Sequence, residues 1–409
     1  MGETFTLPPH VPPELVRDYP IIQGRYVEED PYKTMIPAIH DWPPVFYATN
    51  AYPGERPAWV IRRAADLRDA YSDTEHFSSM GGNPFAAIVG ESWNMVPTEL
   101  DPPFHTAVRG LLNPLFSPPK MRAMEDKVRT AARHYINGFK HKGECDFIRD
   151  FAFPFPVSVF LDLMDLPHDK TELFMQWEHD LLHEGDLGTI GNAVRAVNGY
   201  MVDVIAERRE NPGDDLISFA IHSAIKTSAT EQRPFTDSEL IGYTFNLFIG
   251  GLDTVTTNMG LHFRHLAENP DHQQRLRDDP AFISTALEEL LRAYAATSTF
   301  RTCIKERKLN GVTIMPGDKV LTSTILACRD PEEFDNPNEI ILDRNPKQIL
   351  TFGHGPHFCL GVHLAKREMR VALEEFLAAI PSFSIKPGAI IQTHLGGMVQ
   401  PTTLPLVWN

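Results

Sequence analysis

The sequence predicts a mainly α-helical fold with a smaller β part, built around one long central helix. Three observations lead there. Between the capping signal Thr236-x-x-Glu239 and the breaker Asn269-Pro270, the chain runs largely apolar for about 32 residues, or about 48 Å at 1.5 Å per residue. Three- and four-residue spacing of apolar side chains recurs on both sides of that stretch. Short β-like runs sit towards the two ends of the chain and never dominate.

Taken in order, residues 1 to about 42 are Pro-rich and irregular, and PVFYAT (44–49) and AWVIRR (58–63) read as strands. A helix follows over ADLRDAYSD, then a long loop from Phe77 to about Pro103. From Pro119, the spacing of Met121, Met124, Val128, Ala131, Tyr135 and Phe139 predicts a helix. Ile190, Val194, Val197, Met201, Val204 and Ile205 predict another, stopped by Asn211-Pro212-Gly213. After the central helix comes one containing AFISTALEELLRAY. Hairpin signals follow at Asn310-Gly311 and Pro316-Gly317. A last helix spans Leu360 to about Ala379, and the tail from Phe383 to Trp408 alternates like strands. Helical and β-like segments intermix without a cutting point, so residues 1–409 are expected to form one domain.

The 409 residues carry a net charge of −16, which argues against a nucleic-acid partner, because phosphate binding needs a basic face. The start, MGETFTLPPHVPPELV, lacks the charged and apolar regions of a signal peptide. The most apolar stretch, Phe151 to Leu166, is interrupted by Pro154 and Pro156 and carries Asp162 and Asp165, so no membrane span is expected. A cytoplasmic protein follows as the expectation. The four cysteines form no CxxC pair, which disfavours zinc sites and a disulfide framework.

Phe352-Gly353-His354-Gly355-Pro356-His357-Phe358-Cys359-Leu360-Gly361 lies directly before a helix. The positive end of that helix and its free N–H groups favour a thiolate at Cys359, suited to a metal or to nucleophilic attack. Its glycines would let a flat group approach closely. A lone cysteine reads as structural; the ten-residue string favours a ligand. In the central helix, Gly250 and Gly251 together cost about 2 kcal/mol relative to alanines. The Thr254 hydroxyl, four residues after Gly250, is placed to bond its carbonyl and open the helix. Asp253 and Thr254 then offer an acid and an alcohol for moving protons. A simple crossing point of packed helices would account for the same small residues. Glu289-x-x-Arg292 is a weak ion pair of structural kind. His105 and Arg109, four apart after Asp101-Pro102-Pro103, form either a fork for an anion or a solvated helix face.

The cysteine string resembles the haem-binding signature of the cytochrome P450 family, and Gly250, Gly251, Asp253 and Thr254 match its oxygen-activating helix. The strings VPTELDPP, FIGGLDTV, TFGHGPHFCLG and LPLVW look like the camphor-hydroxylase-like subgroup of soluble bacterial members. The resemblance spans nearly the whole chain. It implies the cytochrome P450 fold, with the long helix over a haem b and Cys359 as iron ligand. Phe352, Gly361, Gly250 and Gly251 would border the haem, and His105, Arg109, Arg301 and His357 would meet its propionates. Arg344 would join Glu289 and Arg292 in a structural lock. The implied activity is hydroxylation with O2 and electrons from a 2Fe-2S ferredoxin and its reductase, since the chain shows no flavin or nicotinamide motif. A peroxide-driven haem enzyme and a non-catalytic haem sensor are the alternatives, and the Asp253–Thr254 pair argues against both.

Where the subgroup has a tyrosine that donates to a substrate ketone, this chain has Trp93, whose indole N–H is a different donor. The matching pocket positions include Phe85, Met95 and Thr98 from the long loop, with Asn246 and Ile249 from the central helix. Thr297, Thr299 and Met398 complete them. They imply a mainly apolar pocket for a small apolar substrate, a terpenoid or norisoprenoid ketone rather than camphor. Lys120, Arg122, Lys127, Lys366, Arg367 and Arg370 are the candidate docking patch for the acidic electron donor.

Overall fold

Six short strands build the main sheet: β1 (Val16–Arg17), β2 (Val45–Tyr52), β3 (Arg56–Ile61), β4 (Phe77–Ser78), β5 (Ser298–Cys303) and β6 (Lys319–Ser323). Their order is β1-β2-β3-β6-β5-β4, with β1 parallel to β2, β3 parallel to β6, and the other neighbours antiparallel. Val320 therefore faces Trp59 on one side and Arg301 on the other. The computed structural model describes residues 6–228, 230–345, 348–380 and 382–409.

The helices that frame the site are α1 (Ala64–Ser72), α2 (Phe104–Leu112), α3 (Pro118–Ala123), α4 (Glu125–Phe139), α5 (Pro154–Met164) and α6 (Thr171–Leu182). They continue as α7 (Leu187–Glu210), α8 (Asp237–Gly251), α9 (Asp253–Glu268), α10 (Ile283–Ala293) and α11 (Val362–Ala379). The start of α8 shows the expected capping box: Glu239 N–H donates to Thr236 Oγ1 at 3.2 Å, and Thr236 N–H to Glu239 Oε2 at 2.8 Å. Nearly every residue of α9 is buried, as befits a helix enclosed on all sides. Phe263 of α9 stacks on Phe147 at 4.1 Å and meets Phe376 of α11 edge-on at 4.9 Å, joining α9 to α11 through the core.

Several expectations need correction. The single long helix is two, α8 and α9, parted at Leu252 (φ −106°, ψ −74°). The helix expected from Pro119 is likewise divided, at Met124. Asn310-Gly311 does close a hairpin, pairing Leu309 with Val312. Pro316-Gly317 does not: β6 leaves that turn to pair with β3 and β5 instead, and Gly317 N–H donates to Cys303 O at 2.8 Å. The irregular N-terminal region contains β1 and a strand, Arg25–Val27, paired with Thr393–Leu395. The loop before α2 holds β4 and one helical turn, Phe85–Ile88.

Candidate active site

Gly353 and Gly355 shape the cysteine loop, with φ of 72° and 68°. A Cβ at Gly355 would also lie 2.9 Å from the Tyr71 carbonyl oxygen, so conformation and space both reserve that position for glycine. Within the loop, Cys359 N–H donates to Phe352 O at 2.9 Å and Phe358 N–H to Gly355 O at 3.1 Å. Gly361 is the N-cap of α11, which places the sulfur just ahead of the first turn. Burial pushes the Cys359 thiol above its ordinary pKa, while the Gly361 N–H and Arg109 pull the other way. A cation on the sulfur, as a coordinated metal would be, would favour the thiolate further. Cys145, Cys303 and Cys328 are buried free thiols.

Beside this loop, four basic side chains converge from three parts of the chain. The His105 and His357 rings lie 4.0 Å apart. Arg109 donates through Nη1 to Phe358 O at 2.8 Å and through Nε to Asn113 Oδ1 at 2.9 Å. Arg301, buried on β5, lies 5.4 Å over the Tyr71 ring. Both ring nitrogens of His105 are buried without a partner. Burial, then Arg109 and Arg301, push His105 down to about 4, with Asp101 opposing. Burial, then Arg301, His105 and Arg109, push His357 down to about 2. Asp101 is itself engaged by Ser78 Oγ and by Ser79 N–H at 2.9 Å, while Ser79 Oγ lies 3.1 Å from His357 Nε2. Basic groups held so close, with little acid to offset them, suit an anionic partner. The two carboxylates of a haem fit this cluster, and its iron fits Cys359.

Where α8 gives way to α9, Thr254 Oγ1 donates to Gly250 O at 3.2 Å, the bond expected from the sequence. A Cβ at Gly250 would meet nothing within 4 Å, and the residue is exposed between the buried Phe248 and Leu252. Open space therefore borders the helix there. Gly251 differs: its Cβ would lie 3.3 Å from Phe160 Cδ2, so it serves packing against α5 rather than a bound flat group. Asp253 is fully buried, its Oδ1 3.3 Å from His183 Nε2, whereas Thr254 keeps accessible surface. The acid faces the protein and the alcohol faces the opening.

Among the pocket positions, the structure corrects the role of Trp93. Its indole N–H donates to Glu91 Oε2 and is not free for a ketone. Its ring packs 4.8 Å from Phe245, which Phe85 also meets at 5.4 Å. Thr297 and Met398 are joined by a β-bridge. The hydroxyls of Thr297 and Thr299 are engaged with Thr324 at 3.2 Å and Thr322 at 2.8 Å. Asn246 and Ile249 are partly exposed on α8, and Thr98 is exposed.

The sequence did not reveal what holds the Trp93–Thr98 segment. Buried Glu99 accepts from Asn83 N–H at 2.8 Å and Met95 N–H at 3.0 Å. Val96 N–H donates to Gly242 O at 3.2 Å, and a Cβ at Gly242 would sit 1.9 Å from Asn94 O. Glu178 was also missed: a fully buried carboxylic acid on α6, close to Asp253 and His183.

Glu289 and Arg292, both fully buried, pair through two bonds of 2.7 and 2.8 Å, and Arg344 Nε reaches Glu289 at 3.1 Å. Arg292 also donates to the Cys328 and Pro337 carbonyls at 2.9 Å, tying α10 to the segment before the cysteine loop. Of the candidate docking charges, Arg122, Lys366, Arg367 and Arg370 do share one hollow of about 240 Å³. Lys127 lines a different one. Much of the charge is offset: Lys366 pairs with Glu288 at 2.6 Å, Arg367 with Glu125, and Arg370 with Glu125 and Glu374 at 2.8 and 2.6 Å.

Comparison with known proteins accords with this geometry. The family described as Cytochrome P450 matches residues 162–388. The probable cytochrome P450 127A1 of Sinorhizobium fredii is 39% identical over 411 residues, covering 99% of this chain and 98% of that protein. The vitamin D(3) 25-hydroxylase of Pseudonocardia autotrophica is 29% identical over 338 residues, 81% of this chain and 83% of that protein. The crystal structure of CYP101J2 superposes with a TM-score of 0.88 at 30% identity, covering 99% of this chain and 100% of that one. Among the described residues, no helix is long and apolar enough to cross a membrane.

Proposed function

Because the chain belongs to the cytochrome P450 family, we propose that it hydroxylates a small apolar ketone of terpenoid or norisoprenoid type with electrons from a 2Fe-2S ferredoxin and its reductase. Proteins of this family bind haem b through a cysteine, and the chain is an oxidoreductase of the monooxygenase kind. In this reading residues 1–409 form one catalytic unit working in the cytoplasm, of the camphor-hydroxylase-like subgroup.

The observation that carries the reading is the cluster of His105, Arg109, Arg301 and His357 around the Cys359 loop. Those four would hold the haem propionates and Cys359 the iron, with Phe352, Gly361 and Gly250 leaving room at its edges. When bound, the haem supplies dioxygen reduction and O–O cleavage, favoured by electron donation from the thiolate. Thr254, anchored to Gly250 O, holds a proton at Oγ1 on the open side of the helix, and Asp253 stands one residue behind as its source. Substrate would pack against Phe85, Met95, Ile249 and Met398. With the Trp93 indole engaged by Glu91, the Asn246 amide is the polar handle left for a ketone. The hollow lined by Arg122, Lys366, Arg367 and Arg370 would receive the acidic ferredoxin, close to the start of α11.

An optical titration of the ferric protein with terpenoid and norisoprenoid ketones, camphor included, tests the substrate class. The expected result is a blue-shifted Soret band with ionone-like ketones and none with camphor. No shift with any of them would refute the substrate class while leaving the family assignment intact.

A further inference from the structure

We propose that Glu178 shares one proton with Asp253 and, together with His183, forms a buried store that refills Asp253 with protons entering at His179. This rests on the reading of Asp253 as the proton source for Thr254, and extends it to residues on and just after α6.

Glu178 and Asp253 are both 0% exposed. Neither oxygen of Glu178 has a hydrogen-bond donor, nor does Asp253 Oδ2. One oxygen of each carboxylate and a His183 ring nitrogen all lie within 4.8 Å of one another. Two carboxylates that close, out of water, cannot both be ionised, and one shared proton satisfies their idle oxygens. Burial and the neighbouring Asp253 charge push Glu178 well above the ordinary carboxylate range, so the proton rests there. Burial works against the Asp253 carboxylate, but His183, Glu178 and His394 outweigh it and hold Asp253 below its ordinary value. Burial likewise opposes a charged His183, yet Asp253 and Glu184 hold its pKa up. His394, whose ring lies 5.3 Å from His183, is pushed down to about 4 by burial and by His183, with His179 adding to the shift and Asp253 opposing it, and stays neutral. The resting cluster is thus a neutral Glu178 and an Asp253 carboxylate, with the charged form of His183 favoured beside it.

A path to solvent is built into the same corner. The His179 ring stacks on His183 at 5.6 Å, and its side chain is 50% exposed, 3.5 Å from Glu184. His183 is 11% exposed, and its carbonyl accepts from the Tyr26 hydroxyl at 3.0 Å. In each cycle the Glu178 proton passes to the Asp253 carboxylate and on towards Thr254. The charge left on Glu178 is neutralised by a proton from His183, which water reprotonates through His179. One proton crosses from solvent, and the cluster returns to its starting charge.

Glu178→Gln keeps the shape, the neutrality and a donor, but has no acidic proton to give. In the haem-loaded protein at about pH 8, the infrared difference spectrum of wild type minus Glu178→Gln should show one protonated-carboxyl component that shifts in D2O, while the band of Glu368, which burial also pushes well above the ordinary carboxylate range, cancels. The substitution should lower kcat about tenfold or more and flatten its pH profile, with KM and the substrate-induced Soret shift unchanged. A purely structural Glu178 would leave kcat and its pH profile intact in the glutamine variant, and that result overturns the proposal. A difference spectrum in which Glu178→Gln loses no carboxyl component overturns it too, as does a stoichiometric divalent cation lost on that substitution. If Asp253→Asn slows turnover while Glu178→Gln does not, only the store fails. If Asp253→Asn itself changes nothing, the underlying reading of Asp253 fails.

Discussion

Asp253 and Thr254 are adjacent in sequence yet turned to different surroundings, the acid into the contact with α6 and the alcohol onto the open side of Gly250. That division predicts a specific outcome for Thr254→Ala. Substrate binding and its Soret shift should be unchanged, while product formed per electron consumed falls about tenfold, because the proton held at Oγ1 is lost. Unchanged coupling would favour a peroxide-type mechanism. At this scale the sequence was informative where chemistry is local. The Cys359 string and the Gly250–Thr254 spacing are contiguous signals, read without tertiary contacts. Glu178 was not legible, because on an ordinary amphipathic helix only packing shows that it is buried against another carboxylate. Trp93 was misread for a similar reason: which partner takes its N–H depends on the loop that brings Glu91 beside it.

Elements were legible where periodicity is long and less so where a helix is interrupted by function. The α8–α9 axis was anticipated from one apolar run and one capping box, but its break at Leu252 is decided by the Thr254 bond and by the packing of Gly251 on Phe160. Gly242 of α8 gives a sharp test of such packing. Helix propensity alone predicts that alanine there stabilises by about 1 kcal/mol. The clash of an added Cβ with the Asn94 carbonyl oxygen predicts the opposite, a loss of about 1–3 kcal/mol from forced movement of the Trp93–Thr98 segment. Chemical denaturation of Gly242→Ala should show the loss, with a weakened substrate shift. A more stable variant would mean that the segment does not rest on α8 as described. Pro316-Gly317 shows the limit of turn signals: the dipeptide marks a turn, but β6 pairs with β3 and β5, which residues 316 and 317 do not specify.

Across the whole molecule, the site is assembled from segments far apart in the chain. Arg109 reaches the Phe358 carbonyl, Arg301 comes from the main sheet, and Glu289 binds Arg292 and Arg344 so that the segment before the cysteine loop is fixed to α10. Sequence motifs named most of these partners, and the fold supplies the convergence that spacing alone does not contain. Charge acts at this scale as well. In the proposed reading an acidic ferredoxin must dock on a chain of net charge −16, and the hollow beside α11 gathers four cations even though glutamates offset most of them. In the proposed reading, all of this geometry serves one bond, from Cys359 to iron. The most direct measurement is the absorption spectrum of the reduced carbonyl complex of wild type and Cys359→Ser. Thiolate ligation predicts a strongly red-shifted Soret band in the wild type that disappears in the variant; a band that survives the substitution would contradict the assignment of Cys359 as the ligand.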